Sequence, residues 1–333
     1  MSPDVAAFVN SGAGAGLTLA ANRHAFETRQ LIPQMAADTI GSPRQVIGPF
    51  ALPHGFLLAP AGALGAVHPD GEAGVARAAQ ATGTPTVVAC TASDTFENIA
   101  DQLGDTLWWA QIYPPAEADL RRSLVKRATA AGAQAIVVTL DAPQLGWRPA
   151  ELDHGWQGRT GAIANYLADP VFRSHLKPDD DPIALWKTLA IAPFTWQDIA
   201  DLCTETTVPV LAKGILCAED ARHARQAGCA GIIVSNHGGR HLDGVVSALD
   251  ALETITQTGE DYGFILMDSG IRTGSDVLKA RVLGADGVLV GRPWIWGLAL
   301  AGEQGVRETV EHLQADIERS WNIAGGMTVK LTH

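Results

Sequence analysis

The chain is short of the residues that mark several kinds of protein. It has four cysteines in 333 residues, at positions 90, 203, 217 and 229, and no two of them form a CxxC pair. A disulfide framework is therefore excluded as the basis of a fold this long. Basic residues are outnumbered, 24 against 36 acidic, for a formal charge of -12. A general nucleic-acid surface needs a positive field, so that class is set aside, although a local positive pocket for a small anion is not. The one concentrated basic stretch, "LRRSLVKRA" at 120–128, has the spacing of a helix's solvent face. No window approaches a charge-free run of about 20 residues, so no membrane span is expected. The first residues show no basic region ahead of an apolar core, and no signal peptide is read there. These exclusions lead to an expectation of a cytoplasmic protein with neither nucleic-acid nor membrane partners. Aromatic residues are also few, at 6%, while the apolar fraction is 47%. A substantial core of aliphatic strands and small-residue helices fits that mix.

What the chain does have is a recurring unit. Continuous apolar runs lie at 55–60 (GFLLAP), 85–90 (PTVVAC), 107–112 (LWWAQI) and 135–140 (AIVVTL). After a gap they resume at 208–214 (VPVLAKG), 231–237 (GIIVSNH), 264–270 (FILMDSG) and 287–292 (GVLVGR). Parallel strands buried on both faces read this way. Between them lie helical patterns such as "DGEAGVARAAQATG" and "GSDVLKARVLGA", several ending in Gly. Eight strands joined by seven crossovers predict an α/β fold, a closed (β/α)₈ TIM barrel, in preference to an open doubly wound sheet. The whole chain, 1–333, is expected to be a single domain. Residues 142–195 break the rhythm with Gly, Pro, Trp and charge, and read as a long loop region after strand four that covers the mouth of the barrel.

In a barrel, the C-terminal strand ends share one cavity. This chain puts Ala59 and Pro60 there from the first strand, Cys90 from the second, Gln111 and Tyr113 from the third, and Thr139 and Asp141 from the fourth, with Arg148 just beyond. Lys213 follows from the fifth, and Ser235, His237 and Arg240 from the sixth. Asp268, Ser269 and Arg272 come from the seventh, Gly291 and Arg292 from the eighth. So many cations at one mouth need an anion. The glycines and arginines of "SGIRTGSD" and "VGRPW" suit a phosphate. Arg148 and Arg240 could clamp a carboxylate. Three readings stay open for "SNHGGRHLD" at 235–243: a metal site built on His237, His241 and Asp243, a general base oriented by Asp141, or a polar turn with a structural histidine. Lys213 is open likewise, as a Schiff-base nucleophile, an ion-pair partner or a charge beside a cofactor.

With these residues in view, the chain resembles the FMN-dependent α-hydroxy-acid oxidase and dehydrogenase family, the group of glycolate, lactate and mandelate oxidases. The resemblance runs over nearly the whole length, through "SGAGAGLTLAANRHAF", "AQIY", "VVTLDAPQLGWRP", "VLAKGILCAEDA", "GIIVSNHGGRHLD" and "DSGIRTGSDVLKARVLGADGVLVGRP". It implies FMN as cofactor and no metal. His237 is then the base with Asp141 its partner, Arg148 and Arg240 hold the substrate carboxylate, and Tyr113 bonds the substrate oxygen. It also implies FMN contacts from Ala59, Pro60, Ala61, Cys90, Gln111, Thr139, Lys213, Ser235, Asp268, Ser269, Gly270, Arg272, Gly291 and Arg292. The implied reaction turns a 2-hydroxy acid into a 2-oxo acid, with dioxygen as the expected electron acceptor, in a homotetramer or other homo-oligomer.

Departures from the family pattern bear on the substrate. Phe8 stands where a carboxylate-binding tyrosine is usual, which removes a hydroxyl donor and adds an apolar wall; a substrate larger than glycolate is expected. His241 replaces the usual glutamine after "GGR", Cys90 and Thr91 replace a Ser-Ser/Trp pattern near the flavin, and Ser269 replaces a glycine. Two rival readings are a flavin enzyme of the same fold acting on an amine or a peptide-derived intermediate, and a TIM-barrel metal hydrolase or binding protein.

Overall fold

The computed structural model describes residues 1–36, 41–115, 117–156, 160–190 and 194–332. Eight parallel strands close into a barrel. In chain order they are β1 (Phe56–Leu58), β2 (Thr86–Ala89), β3 (Trp108–Ile112), β4 (Ile136–Thr139), β5 (Val210–Ile215), β6 (Gly231–Val234), β7 (Phe264–Met267) and β8 (Gly287–Val290). Each strand pairs with its sequence neighbours, and β8 closes on β1 through Val288–Phe56 and Leu289–Leu57. The expected barrel is therefore the observed one, and all eight runs read from the sequence are its strands.

The helices that matter for the site are α1 (Pro3–Asn10), α2 (Leu17–Thr28), α3 (Gly71–Thr82), α4 (Phe96–Leu103), α5 (Ala118–Ala130), α6 (Trp196–Glu205), α7 (Ala218–Gln226), α8 (Ala248–Thr256), α9 (Gly274–Val282) and α10 (Arg292–Ala324). α10 bends sharply at Ala301 and Gly302. Gly83 ends α3 in the left-handed conformation that a glycine stop permits. α5 corrects one expectation: its basic stretch is not all solvent face. Arg121 is buried, with its guanidinium over the Phe194 ring at 5.4 Å.

The barrel interior follows the two-residue period of strands. Leu57, Val87, Trp109, Val137, Leu211, Ile233, Leu266 and Leu289, one per strand, form a single buried apolar cluster. The hairpin of Gln45–Ile47 and Phe50–Leu52 plugs it from below with Ile47, Phe50 and Leu52. The alternate residues, among them Phe56, Val88, Ala110, Val138, Ala212, Ile232, Met267 and Val288, pack outward in the larger helix-facing cluster. Truncating Leu211 to alanine in such a layer costs about 2–5 kcal/mol. Two residues further along each strand the period returns to the interior, and there the chemistry changes. The next layer is Ala59, Ala89, Gln111, Thr139, Lys213, Ser235, Asp268 and Gly291. A dry aliphatic floor thus supports a mostly small or polar layer, and the cavity opens above it.

Candidate active site

A cavity of about 830 Å³ lies over this layer. That is within the range of ligand sites, and large enough for a cofactor together with a small substrate. Its walls include Phe8, Ala59, Pro60, Ala61, Gln111, Tyr113, Thr139, Arg148, Lys213, His237, Arg240, His241, Asp268, Ser269, Gly270, Arg272, Gly291 and Arg292. Sequence-distant cations therefore do meet at one opening. Cys90, Ser235 and Asp141 are not among the lining residues. Cys90 is out of phase with the inward series and packs in the helix-facing cluster, where its sulfur accepts from Tyr166 Oη at 3.4 Å; Ala89 and Thr91 line the cavity instead. Ser235 is in phase but fully covered, and its Oγ accepts from Lys213 Nζ at 2.8 Å and from the His237 backbone N–H at 3.0 Å.

The loop after β6 divides its residues among tasks. Asn22 and Asn236 exchange amide hydrogen bonds of 2.8 and 2.7 Å, tying the loop to α2. Asp243 accepts from Ala15 N at 2.9 Å and Thr18 N at 2.8 Å, so it caps the start of α2 and is not aimed at the histidines. Gly239 sits at φ +77°, where a Cβ would lie 2.6 Å from Leu19 N. His237 itself holds φ 57°, a left-handed value uncommon for non-glycine residues but one that histidine, like asparagine and aspartate, adopts more readily than most. This backbone turns its ring into the cavity, where Nδ1 lies 3.0 Å from Asp141 Oδ1.

The electrostatics favour a neutral, proton-accepting imidazole. Burial pushes the His237 pKa well below its ordinary value, and Lys213, Arg240 and Arg148 add to that against the pull of Asp268. Asp141 is raised by burial, with Lys213 and His241 holding it back. The His237 and His241 rings meet edge to face at 4.2 Å, and burial together with His237 pushes His241 down to about 2. Asp141, His237 and His241 bring three metal-capable atoms within 4.8 Å of one another, a cluster that differs from the one imagined with Asp243. Asp141 Oδ2 and His241 Nδ1 are buried with no hydrogen-bond partner among the described residues, and of the two residues only His241 lines the cavity. Tyr113 lies 6.5 Å from His237, ring to ring; burial raises its pKa, with Cys90 and Asp141 adding, so it stays a protonated donor.

The remaining cations fall into three groups. Lys213 forms a 2.9 Å ion pair with Asp268; burial alone would lower its pKa, but Asp268 and Asp141 together hold it up. Arg148 and Arg240 share a residue that the sequence reading passed over. The buried Glu151 accepts from Arg240 Nη2 at 2.9 Å and lies 3.3 Å from Arg148 Nε. Pro149 starts a short helix, Pro149–Asp153, which sets Glu151 three residues past Arg148, and that spacing was the available signal. Arg240 also donates to the carbonyls of Phe8 at 2.6 Å and Ser11 at 3.2 Å, and is lowered to about 10 by burial and Arg148. Arg272 and Arg292 form the third group. Arg292 donates to the carbonyls of Val9, Ser11 and Gly238 and is lowered to about 9 by burial, then by Arg240 and Arg272. Arg272 lies over the Trp296 ring at 5.2 Å. Among the described residues, neither has a carboxylate within ion-pair distance. Two half-buried guanidiniums with no carboxylate, beside Gly270 and Gly291, fit the phosphate of a flavin mononucleotide. The Lys213 ammonium in the middle layer fits the flavin ring, where it would stabilise negative charge on the reduced form.

A family model described as FMN-dependent dehydrogenase matches residues 1–332. An L-lactate oxidase of Lysinibacillus sphaericus is 37% identical over 330 residues, covering 97% of this chain and 85% of the relative. A 4-hydroxymandelate oxidase of Amycolatopsis orientalis is 38% identical over 323 residues, covering 96% of this chain and 89% of the relative. Among solved structures, a mandelate oxidase superposes with a TM-score of 0.89 at 35% identity, covering 99% of this chain and 94% of that one. The chain belongs to the FMN-dependent dehydrogenase family. It is an FMN-dependent enzyme of the α-hydroxy-acid oxidase and dehydrogenase class. No helix among the described residues is long and apolar enough to cross a membrane.

Proposed function

We propose that the enzyme oxidises a 2-hydroxy acid with a substituent larger than that of glycolate, releasing the 2-oxo acid and using dioxygen as acceptor. The observation that carries this reading is His237, backed by Asp141 at Nδ1, facing the same cavity as Arg148, Arg240 and Tyr113. Arg148 and Arg240 take the substrate carboxylate, which fixes the hydroxyl-bearing carbon and leaves its oxygen near His237 and Tyr113. His237 removes the hydroxyl proton at Nε2, while Asp141 holds Nδ1 and stabilises the resulting imidazolium. Tyr113 donates a hydrogen bond to the oxygen as the C–O bond becomes a carbonyl. FMN, when bound, would supply the acceptor for the carbon-bound hydrogen and its electron pair, and the two-electron route to dioxygen. Ala59, Pro60, Ala61, Gln111 and Thr139, with Lys213, Asp268, Ser269 and Gly270, would hold its ring end, and Gly291, Arg272 and Arg292 would hold its phosphate. Cys90 and Ser235 support that wall from behind.

Size selection rests on Phe8. Its ring stacks on Trp156 at 4.4 Å and lies under the Arg240 guanidinium at 5.0 Å, an apolar wall where a hydroxyl would otherwise hold a small acid. The segment 142–195 is the cover of the cavity: Trp156, Ile163, Ile183 and Trp186 from it line the space, while residues 157–159 and 191–193 lie outside the described set. The enzyme is read as a single-domain cytoplasmic protein, homotetrameric or otherwise homo-oligomeric; its four free thiols suit a reducing compartment. A second reading, the same cofactor with an amine or peptide-derived substrate, draws on the hydroxyl missing at Phe8. Anaerobic mixing of the yellow holoenzyme with a panel of acids and amines tests both. Aryl or longer alkyl 2-hydroxy acids are expected to bleach the flavin faster than glycolate. Glycolate matching them overturns the reading of Phe8, and bleaching by amines alone favours the second substrate class.

A further inference from the structure

The carboxylate clamp already contains a carboxylate. Glu151 is 4% exposed, and its Oε1 gathers Arg240 Nη2 at 2.9 Å, Arg148 Nε at 3.3 Å and Ser11 Oγ at 3.3 Å. It lines the same cavity as His237 and both arginines. The Arg148 contact is an ion pair without hydrogen-bond alignment, because Arg148 Nε has no bonded partner among the described residues. Arg148 therefore keeps donor capacity for an incoming group, whereas Arg240 is committed to Glu151 and to the carbonyls of Phe8 and Ser11.

We propose that Glu151 is a specificity-determining residue: it acts as a resident counter-ion that lowers the charge of the Arg148–Arg240 clamp, so that the clamp discriminates only weakly between a substrate carboxylate and a neutral amide or ester in its place. This rests on the hydroxy-acid reading above. Two guanidiniums and one carboxylate leave a net charge of +1, which one monoanion balances. An entering carboxylate must also share the clamp with Glu151, and like charges a few ångströms apart in a buried site repel strongly. A neutral amide meets no such repulsion, and its carbonyl can accept from Arg148. Glu151 also steadies Arg240, which burial and Arg148 otherwise disfavour as a cation. Glutamine at position 151 keeps the acceptor oxygen for Arg240 and removes only the charge, so it separates charge from geometry.

The test uses the holoenzyme and two unreactive ligands of one shape, a phenyl-substituted 2-oxo acid and its primary amide. Binding is measured by calorimetry and by the change in the flavin spectrum, without turnover. Glu151→Gln is expected to bind the oxo acid about tenfold tighter and to change amide binding by less than about threefold. Weaker acid binding, or an equal change for both ligands, shows that Glu151 only aligns the arginines and overturns the proposal. The wild-type protein gives a readout that needs no variant to fold. An acid preference over the amide below about thirtyfold supports the proposal, and a larger one, as two uncompensated cations would impose, overturns it. A wild-type holoenzyme that binds neither ligand removes the hydroxy-acid reading and this proposal together. Acid binding that Glu151→Gln leaves unchanged removes only this proposal.

Discussion

Replacing Asp141 by asparagine tests the base assignment most directly. In the resting site the His237 imidazole is neutral, because burial and three nearby cations oppose its charge. On the proposed mechanism, proton transfer from substrate would create an imidazolium inside that field. The group positioned to compensate it is Asp141 Oδ1, 3.0 Å from Nδ1. At an effective dielectric of about 20, a charge pair at this distance is worth about 5 kcal/mol before desolvation, and a charge-assisted hydrogen bond nets about 1.5–3 kcal/mol. Asparagine keeps the shape but not the charge, and its amide can also donate to Nδ1 and turn the ring to the wrong tautomer. The rate of flavin reduction is therefore expected to fall by a factor of about 10² to 10³. Affinity for an unreactive 2-oxo acid should change by less than about threefold, since Asp141 touches the base and the acid is gripped elsewhere. Anaerobic stopped-flow at saturating substrate, paired with a binding titration, separates the two. A reduction rate within about threefold of wild type would remove Asp141 from the mechanism and leave His237 needing another orienter.

Two further changes probe the supporting structure. Lys213→Met leaves the buried Asp268 carboxylate without its 2.9 Å partner and is expected to destabilise the protein by about 3–5 kcal/mol in chemical denaturation of the apoprotein; a loss under about 1 kcal/mol shows that the pair is not holding the layer together. His241 is neutral in the folded protein because burial and His237 push it down to about 2, whereas the unfolded chain protonates near pH 6.5. Its folded pKa lies below the unfolded one, so the unfolded state binds the extra proton and stability falls as pH drops below about 6.5. His241→Gln should make that fall shallower by about 1.4 kcal/mol per pH unit between pH 6 and 4, measured by urea melts; an unchanged slope shows that His241 titrates alike in both states.

The barrel was legible because its strands are continuous aliphatic runs, and only a doubly covered parallel strand needs that pattern. Which end residues face inward was less legible, since a strand end read by position alone ignores the period of two. Cys90 was expected at the flavin, yet Trp109 and Gln111 already set the inward phase of β3, and β2 pairs Val87 with Trp109 and Ala89 with Gln111. Counting from that register selects Ala89 and places Cys90 against the helices. Asp243 misled for a different reason. Its sequence neighbours are histidines, but its partners are the N–H groups that start α2, more than two hundred positions away. Glu151 was passed over because a glutamate in a polar loop ordinarily faces water. Only the cavity wall shows that it does not.

The two ends of the cavity differ in charge, and the difference matches what each end is expected to hold. At one end Arg272 and Arg292 face the space with no carboxylate in ion-pair reach among the described residues, a charge of +2 beside two glycines. A phosphate monoester carries close to two negative charges at neutral pH. At the other end, Glu151 reduces Arg148 and Arg240 to +1, which suits a single carboxylate. Between them Lys213 and Asp268 cancel, and His237 is kept uncharged until it takes a proton. On the proposed assignment, a site arranged in this way would hold its cofactor by strong, uncompensated attraction and its substrate by a weaker, exchangeable one. That is the ordering turnover requires, because the 2-oxo acid must leave many times while the flavin stays.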